Sequence, residues 1–195
     1  MPFTLVAPVE FVQDVKKSRF IAQAAPIASE EEAKAFLAAV SDPAANHNCW
    51  AWRIGQAYRF SDDGEPSGTA GKPILQAIDG QDLDGILVVV TRFFGGILLG
   101  SGGLMRAYGG TAAQMLRVAD KREIIPMVTC GSSVSFSDLA LVKSRLAAIP
   151  HLTFVESFTA EGVDLTVTMR QGDEDQAIRL VRDLTSGRSC LVFPD

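Results

Sequence analysis

Hydrophobic and polar positions alternate with a period of two along Val9–Val15 and again along Arg19–Ile27, which predicts two strands joined near Lys16-Lys17-Ser18. The period then lengthens. Ala33, Phe36, Leu37 and Val40 share one side of a helix that Ser29 and Glu32 open as a capping box and Asp42-Pro43 closes. Alternation resumes over His47–Ile54 and a short strand at Ala57–Phe60. On the longer of these, Asn48, Trp50, Trp52 and Ile54 share one face, while His47, Cys49, Ala51 and Arg53 share the other. The tryptophans mark their side as the core, so the opposite side is expected to be an open, polar one. Asp62–Pro73 has no period and is dense in Gly, Pro, Asp and Ser, which predicts a loop, with a short helix at Ile74–Ile78 beyond it.

Ile86–Val90 (ILVVV) is an unbroken aliphatic run, the pattern of a strand buried on both faces. A glycine-dense turn follows it (Gly95, Gly96, Gly100, Gly102 and Gly103), and then a helix from about Gly102 to Val118 that Ser101 is expected to cap. Strand, glycine turn and helix in that order present backbone N–H groups to an anion. The same glycines also suit close chain crossing. Gly109 and Gly110, inside the helix, predict that another backbone or a ligand comes close there.

Pro126 closes this unit, and 127–195 reads as a second one. Strand Val128–Phe136 leads to a helix capped at Ser137 or Asp138 and running to Ile149. A hairpin of Leu152–Phe158 and Val163–Met169, a helix at Asp173–Leu184 and a last strand at Cys190–Phe193 complete a βαββαβ order. The expected class is therefore α+β, with an α/β unit at 1–126 and a ferredoxin-like unit at 127–195.

Composition narrows the function. Charged residues make up 21% of the chain and the net charge is −5. Residues 1–126 hold 12 Lys and Arg against 14 Asp and Glu, net −2, and the remainder is −3, so neither half is a basic platform. The start, MPFTLVAPVEF, lacks the basic and apolar regions of a signal peptide, and no apolar run is long enough for a membrane span. Cys49, Cys130 and Cys190 are odd in number and widely spaced, which fits a reducing cytoplasm and no four-cysteine metal site.

Three stretches carry candidate chemistry. The glycine turn is neither a Walker A loop nor G-x-G-x-x-G, because Met105 stands where the last glycine would be. Asp62, Asp63 and Glu65 put three carboxylates in four residues, suited to a divalent cation, to acid–base work or to a solvated turn. His47 and Cys49 are spaced for a metal pair or a nucleophile and base, or for a hydrogen-bonded histidine beside a packed thiol. Tyr108 is expected to pack its ring inward with its hydroxyl at the rim.

TRFFGGILLGSGGLMRAYGG, together with HNCWAW at His47–Trp52 and DDGEPSGTAGKP at Asp62–Pro73, resembles the IMPACT/YigZ family. The resemblance implies a first unit similar to domain IV of elongation factor G and to a ribosomal-protein domain, as a two-layer α/β sandwich, and a ferredoxin-like second unit similar to that factor's last domain. It also implies a role in translation. Eukaryotic members compete for an activator protein through a further N-terminal domain, and that partner is not carried over. Phe94 stands where the family usually has Tyr.

The reading that follows is a translation-associated regulator that binds rRNA, the ribosome or a translation-associated protein rather than acting as an enzyme. Phosphates are expected at Arg19, Lys72, Arg92 and Arg106, with backbone donors at Gly95, Gly96, Ser101, Gly102 and Gly103. Ser18, His47, Cys49 and Arg53 are expected to line the same cleft, with Asp63, Glu65, Thr69 and Tyr108. No cofactor or metal is expected. The alternatives are a phosphotransferase or hydrolase built on Asp63, Glu65 and the glycine turn, and a protein–protein adaptor using the second unit.

Overall fold

A computed structural model describes residues 2–194. The chain divides into two compact units, Met1–Ile124 and Ile125–Asp195. The architecture is mixed, with five helices among the described residues and separate antiparallel sheets.

The first unit is built on β2 (Val9–Val15), β3 (Ser18–Pro26), β4 (His47–Ile54), β5 (Ala57–Ser61) and β6 (Ile86–Phe93). These form one sheet in the order β2-β3-β6-β4-β5, with every neighbouring pair antiparallel. Aliphatic β6 takes the central place, and all but its last residue are buried. Two short strands that alternation did not reveal, β1 (Phe3–Leu5) and β7 (Lys121–Glu123), pair with each other. Three residues are too few to show a period.

Both faces of the five-stranded sheet are covered. Helix α1 (Glu30–Val40) lies on one, against Trp52, Leu87 and Val89. Its capping box forms with a one-residue shift: Ser29 Oγ accepts from Glu32 N–H, and the Glu32 carboxylate accepts from Ala28 N–H at 2.7 Å. Helices α2 (Gly71–Asp79) and α3 (Ser101–Val118) cover the other face, over Phe20, Ala22, Cys49, Ala51, Val88 and Val90. The face expected to be open and polar is therefore the floor of the larger core, and Cys49 and Ala51 are fully buried in it. The tryptophans mark the smaller core. Gly109 admits the α2–α3 crossing, since a Cβ there would meet Pro73 at 3.2 Å, whereas at Gly110 it would meet nothing.

In the second unit β8 (Met127–Val134), β9 (Thr153–Phe158) and β10 (Val163–Arg170) form a sheet in the order β8-β10-β9. Helices α4 (Phe136–Leu146) and α5 (Glu174–Leu184) pack on one face, around Val142, Leu146, Val167 and Val181. The other face is exposed, with Thr129, Thr166 and Val155 along it. Two expectations change here. Helix α4 starts after Ser135, while Asp138 lies in its first turn and binds Arg188. The expected last strand contributes only one bridge, Gly131 with Val192.

Candidate functional site

Register places Phe20, Arg92 and His47 side by side on adjacent strands, pointing to the α2–α3 side. An arginine buried on the central strand must find a charge, because an unpaired buried cation is costly. The charge comes from the loop between β5 and α2. Arg92 Nη1 donates to Glu65 Oε1 at 2.6 Å, and both side chains are almost wholly buried, at 6% and 4% exposure. Tyr108 from α3 donates its hydroxyl to the same oxygen at 2.7 Å. Its ring meets Phe20 edge to face, with centroids 5.1 Å apart. The hydroxyl expected at the rim is thus at the centre of a buried network, and burial pushes the Tyr108 phenol well above its ordinary range.

The loop that delivers Glu65 is organised by Asp62. Its carboxylate accepts from the N–H groups of Gly68, Ala70 and Gly71 at 2.7, 3.0 and 2.8 Å, which caps α2 from outside the helix. Asp63 accepts from Asn48 N–H, and its carbonyl meets His47 Nδ1 at 2.7 Å. Thr69 turns its hydroxyl onto Pro66 O. The three carboxylates therefore diverge, each to its own donors. Among the described residues no cluster of three or more His, Cys, Asp or Glu is placed to hold a metal. Cys49 donates to Asp62 O, and burial pushes its thiol up to about 12, so it is a packed hydrophobe rather than a thiolate. His47 is the exposed edge of this group, with Nε2 3.8 Å from Glu65.

The glycine turn splits into two parts. In the first the amides are occupied by the protein itself: Gly95 N–H donates to Ser18 Oγ and Phe94 N–H to Asn46 Oδ1. Gly95 permits a chain crossing, because a Cβ there would lie 1.9 Å from Lys17 O. Ser18, fully buried, also takes a bond from Arg92 Nη2. In the second part the amides are free. The N-cap of α3 is Gly100, at φ 71°, and no side chain caps it. Leu104 N–H closes the first turn onto Gly100 O, and among the described residues no protein group accepts from Ser101, Gly102 or Gly103 N–H. Ser101 is thus the first helical residue rather than the cap.

Of these three residues, Ser101 lines a cavity of about 430 Å³, next to Gly100. Its polar wall is His47, Glu65 and Arg92, and its apolar wall is Phe94, Leu98, Leu99 and Leu104. Arg92 Nε is buried from solvent and has no partner among the described residues. Of the apolar residues, Phe94 was singled out from sequence, and the leucines were not. Their signal was the triplet Ile97-Leu98-Leu99 between glycines, which leaves Leu98 85% exposed.

The remaining expected residues are dispersed. Arg19 alternates onto the α1 side of the sheet, away from Arg92. Arg53 sits six residues along β4 from His47, about 20 Å away, where it pairs with Asp79 at 2.7 Å. Lys72 and Arg106 are exposed, and Arg106 lies beside Gly102. Gly96, at φ 85°, is open to solvent space.

The Impact N-terminal domain matches residues 16–116, and a domain of unknown function, DUF1949, matches 133–188. A Thermus thermophilus protein called IMPACT family member in pol 5'region is 48% identical over 89% of this chain and 97% of its own length. The Escherichia coli IMPACT family member YigZ is 43% identical over 72% of each chain. A crystal structure described as that of a hypothetical protein superposes with a TM-score of 0.75 at 35% identity, covering 99% of this chain and 97% of that one. The matched region holds the whole Arg92–Glu65–Tyr108 network and the head of α3, and this chain belongs to the IMPACT family.

Proposed function

We propose that this protein is a translation-associated regulator of the cytoplasm that works by binding, through the cavity at the head of α3. Its first unit resembles domain IV of elongation factor G, and its second is ferredoxin-like, with the Val192 bridge standing where a fourth strand would be. The observation that carries the reading is the uncapped head of α3, where Ser101 lines a cavity shared with Arg92 and Glu65 and Arg106 lies beside Gly102. A helix start of this kind holds an anion.

The spread of cations decides how that anion is met. Arg92 is neutralised by Glu65, Arg19 lies on the other face, and Arg106 is the cation beside the amides. One anionic group is gripped, with Arg106 and Lys72 contributing at the edge, rather than a nucleic-acid backbone tracked over its length. Asp63 and Glu65 are both occupied by protein donors, which leaves a phosphotransferase or hydrolase without a free acid–base pair in this loop.

The test is co-sedimentation with ribosomes across a salt series, using the full chain and its Arg106→Ala and Ser101→Pro variants. The reading expects association at low salt that weakens in both variants. It expects a shallow salt slope, of about one or two released counterions. A protein that stays in the supernatant at low salt ends it.

A further inference from the structure

On the α1 side of the five-stranded sheet, away from the cleft at α3, lies another cavity, of about 150 Å³. Its floor follows from strand register. Leu87, Trp52 and Arg59 lie side by side across β6, β4 and β5, and Trp50 follows Trp52 on the same face of β4. Its roof is α1, where Glu30, Ala33, Lys34 and Leu37 fall at the i, i+3, i+4, i+7 spacing of one helix side. The space exists because of residue sizes. Ala33 is the residue that α1 buries against the sheet, whereas the bulkier Phe36 and Leu37 are only half-buried. The helix therefore rests on a methyl group beside two large rings.

The walls define the occupant. Trp50 and Trp52, the chain's two tryptophans, line the cavity with Ala33, Leu37 and Leu87. Such a lining offers water few partners, and an apolar cavity of about this volume takes a benzene-sized guest. Flat indole walls favour a ring, packed edge to face or offset. Charge disfavours an ion. Glu30 on the roof pairs with Arg59 on the floor at 3.3 Å. Lys34 is offset by Glu31, three residues before it, and Glu32 is turned to Ala28 N–H. Each charged group at the mouth has its own counterpart, and a charged guest would have to displace one.

We infer that this cavity is a binding site for a small neutral molecule with a single aromatic ring. The ring lies between the tryptophans of β4 and the Ala33–Leu37 side of α1, and the Glu30–Arg59 pair spans the edge where α1 meets β5. The cleft at α3 is on the opposite face of the sheet, so the two sites are separate and this one stands whether or not that cleft binds an anion.

Proton–nitrogen correlation NMR of the full chain tests this, because the two tryptophans give two indole N–H signals and both indoles are on the cavity wall. A ring current moves those signals whichever way the N–H groups point. The probes are benzyl alcohol, its charged analogues phenylacetate and benzylammonium, and a capped pentapeptide with phenylalanine between glycines. Benzyl alcohol is expected to shift both signals to saturation, and each charged analogue to bind about tenfold more weakly or worse. Ala33→Met fills the space from the roof and is expected to abolish the shifts. Trp50→Leu changes a half-exposed wall residue without threatening the fold, and is expected to weaken benzyl alcohol about tenfold, read on the Trp52 signal. Absence of a saturable shift with benzyl alcohol overturns the inference, as does equal affinity for the charged probes. An affinity unchanged in Trp50→Leu overturns it too. Tighter binding of the pentapeptide also overturns it, by assigning the cavity to a polypeptide side chain instead of a small molecule.

Discussion

Arg92 Nη1 lies 2.6 Å from Glu65 Oε1, and the two side chains come from a central strand and a glycine-rich loop 27 residues apart. The pair ties the acidic loop to the sheet and forms one wall of the cavity. Because both groups are out of water, the pair is defined by what its loss leaves behind. Glu65→Ala strands the Arg92 cation and is expected to destabilise by about 3–5 kcal/mol. Arg92→Met with Glu65→Leu, which removes both charges and keeps the volume, is expected to cost less than Glu65→Ala. Urea unfolding of the single and double variants measures this.

Tyr108 adds a second donor to the same oxygen. Tyr108→Phe removes the hydroxyl and keeps the edge-to-face contact with Phe20. The expected loss is about 1–2 kcal/mol, because Glu65 retains Arg92. Denaturant midpoints at unchanged slope check it.

The glycines divide by what surrounds them. Gly95→Ala drives a methyl into Lys17 O, a backbone atom that cannot swing away, and is expected to cost about 3 kcal/mol. Gly110 is helical with open space where a methyl would go, so Gly110→Ala is expected to stabilise by about 0.5–1 kcal/mol. Opposite signs in thermal melts of the two variants verify the distinction.

Thiol chemistry follows burial. Cys49 is pushed from an ordinary 9.0 up to about 12 and Cys130 up to about 11, in both cases chiefly by burial, while Cys190 is exposed. In native protein at pH 8, one thiol is expected to react promptly with an aromatic disulfide and two only on unfolding. The folded pKa of Cys49 lies above its unfolded value, so its contribution is complete below about pH 9 and is lost as pH rises toward 12. Melts from pH 8 to 11 are expected to fall less steeply for Cys49→Ala once its lower starting stability is subtracted.

Several parts of the fold were legible along the chain because their causes are local. The unbroken aliphatic run at Ile86–Val90 needed no partner to mark a strand buried on both faces, and β6 is that strand. The change from period two to period 3.6, with Ser29 and Glu32 at the boundary, located α1. The motif at His47–Trp52 and the turn around Gly95–Gly103 identified the family.

Other features were decided only when distant segments met. Alternation separates the two faces of β4 but says nothing about what lands on each, and α2 and α3 turned the expected open face into the larger core. Arg19 and Arg92 look alike in the sequence, yet strand pairing sends one to each side of the sheet. Glycines at 95 and at 102–103 belong to one stretch of sequence. Contact with Ser18 closed the first to any ligand, and the absence of a cap left the second open. A residue's type and local period fix the shape it can adopt, whereas its availability depends on which charges and surfaces the rest of the chain brings against it.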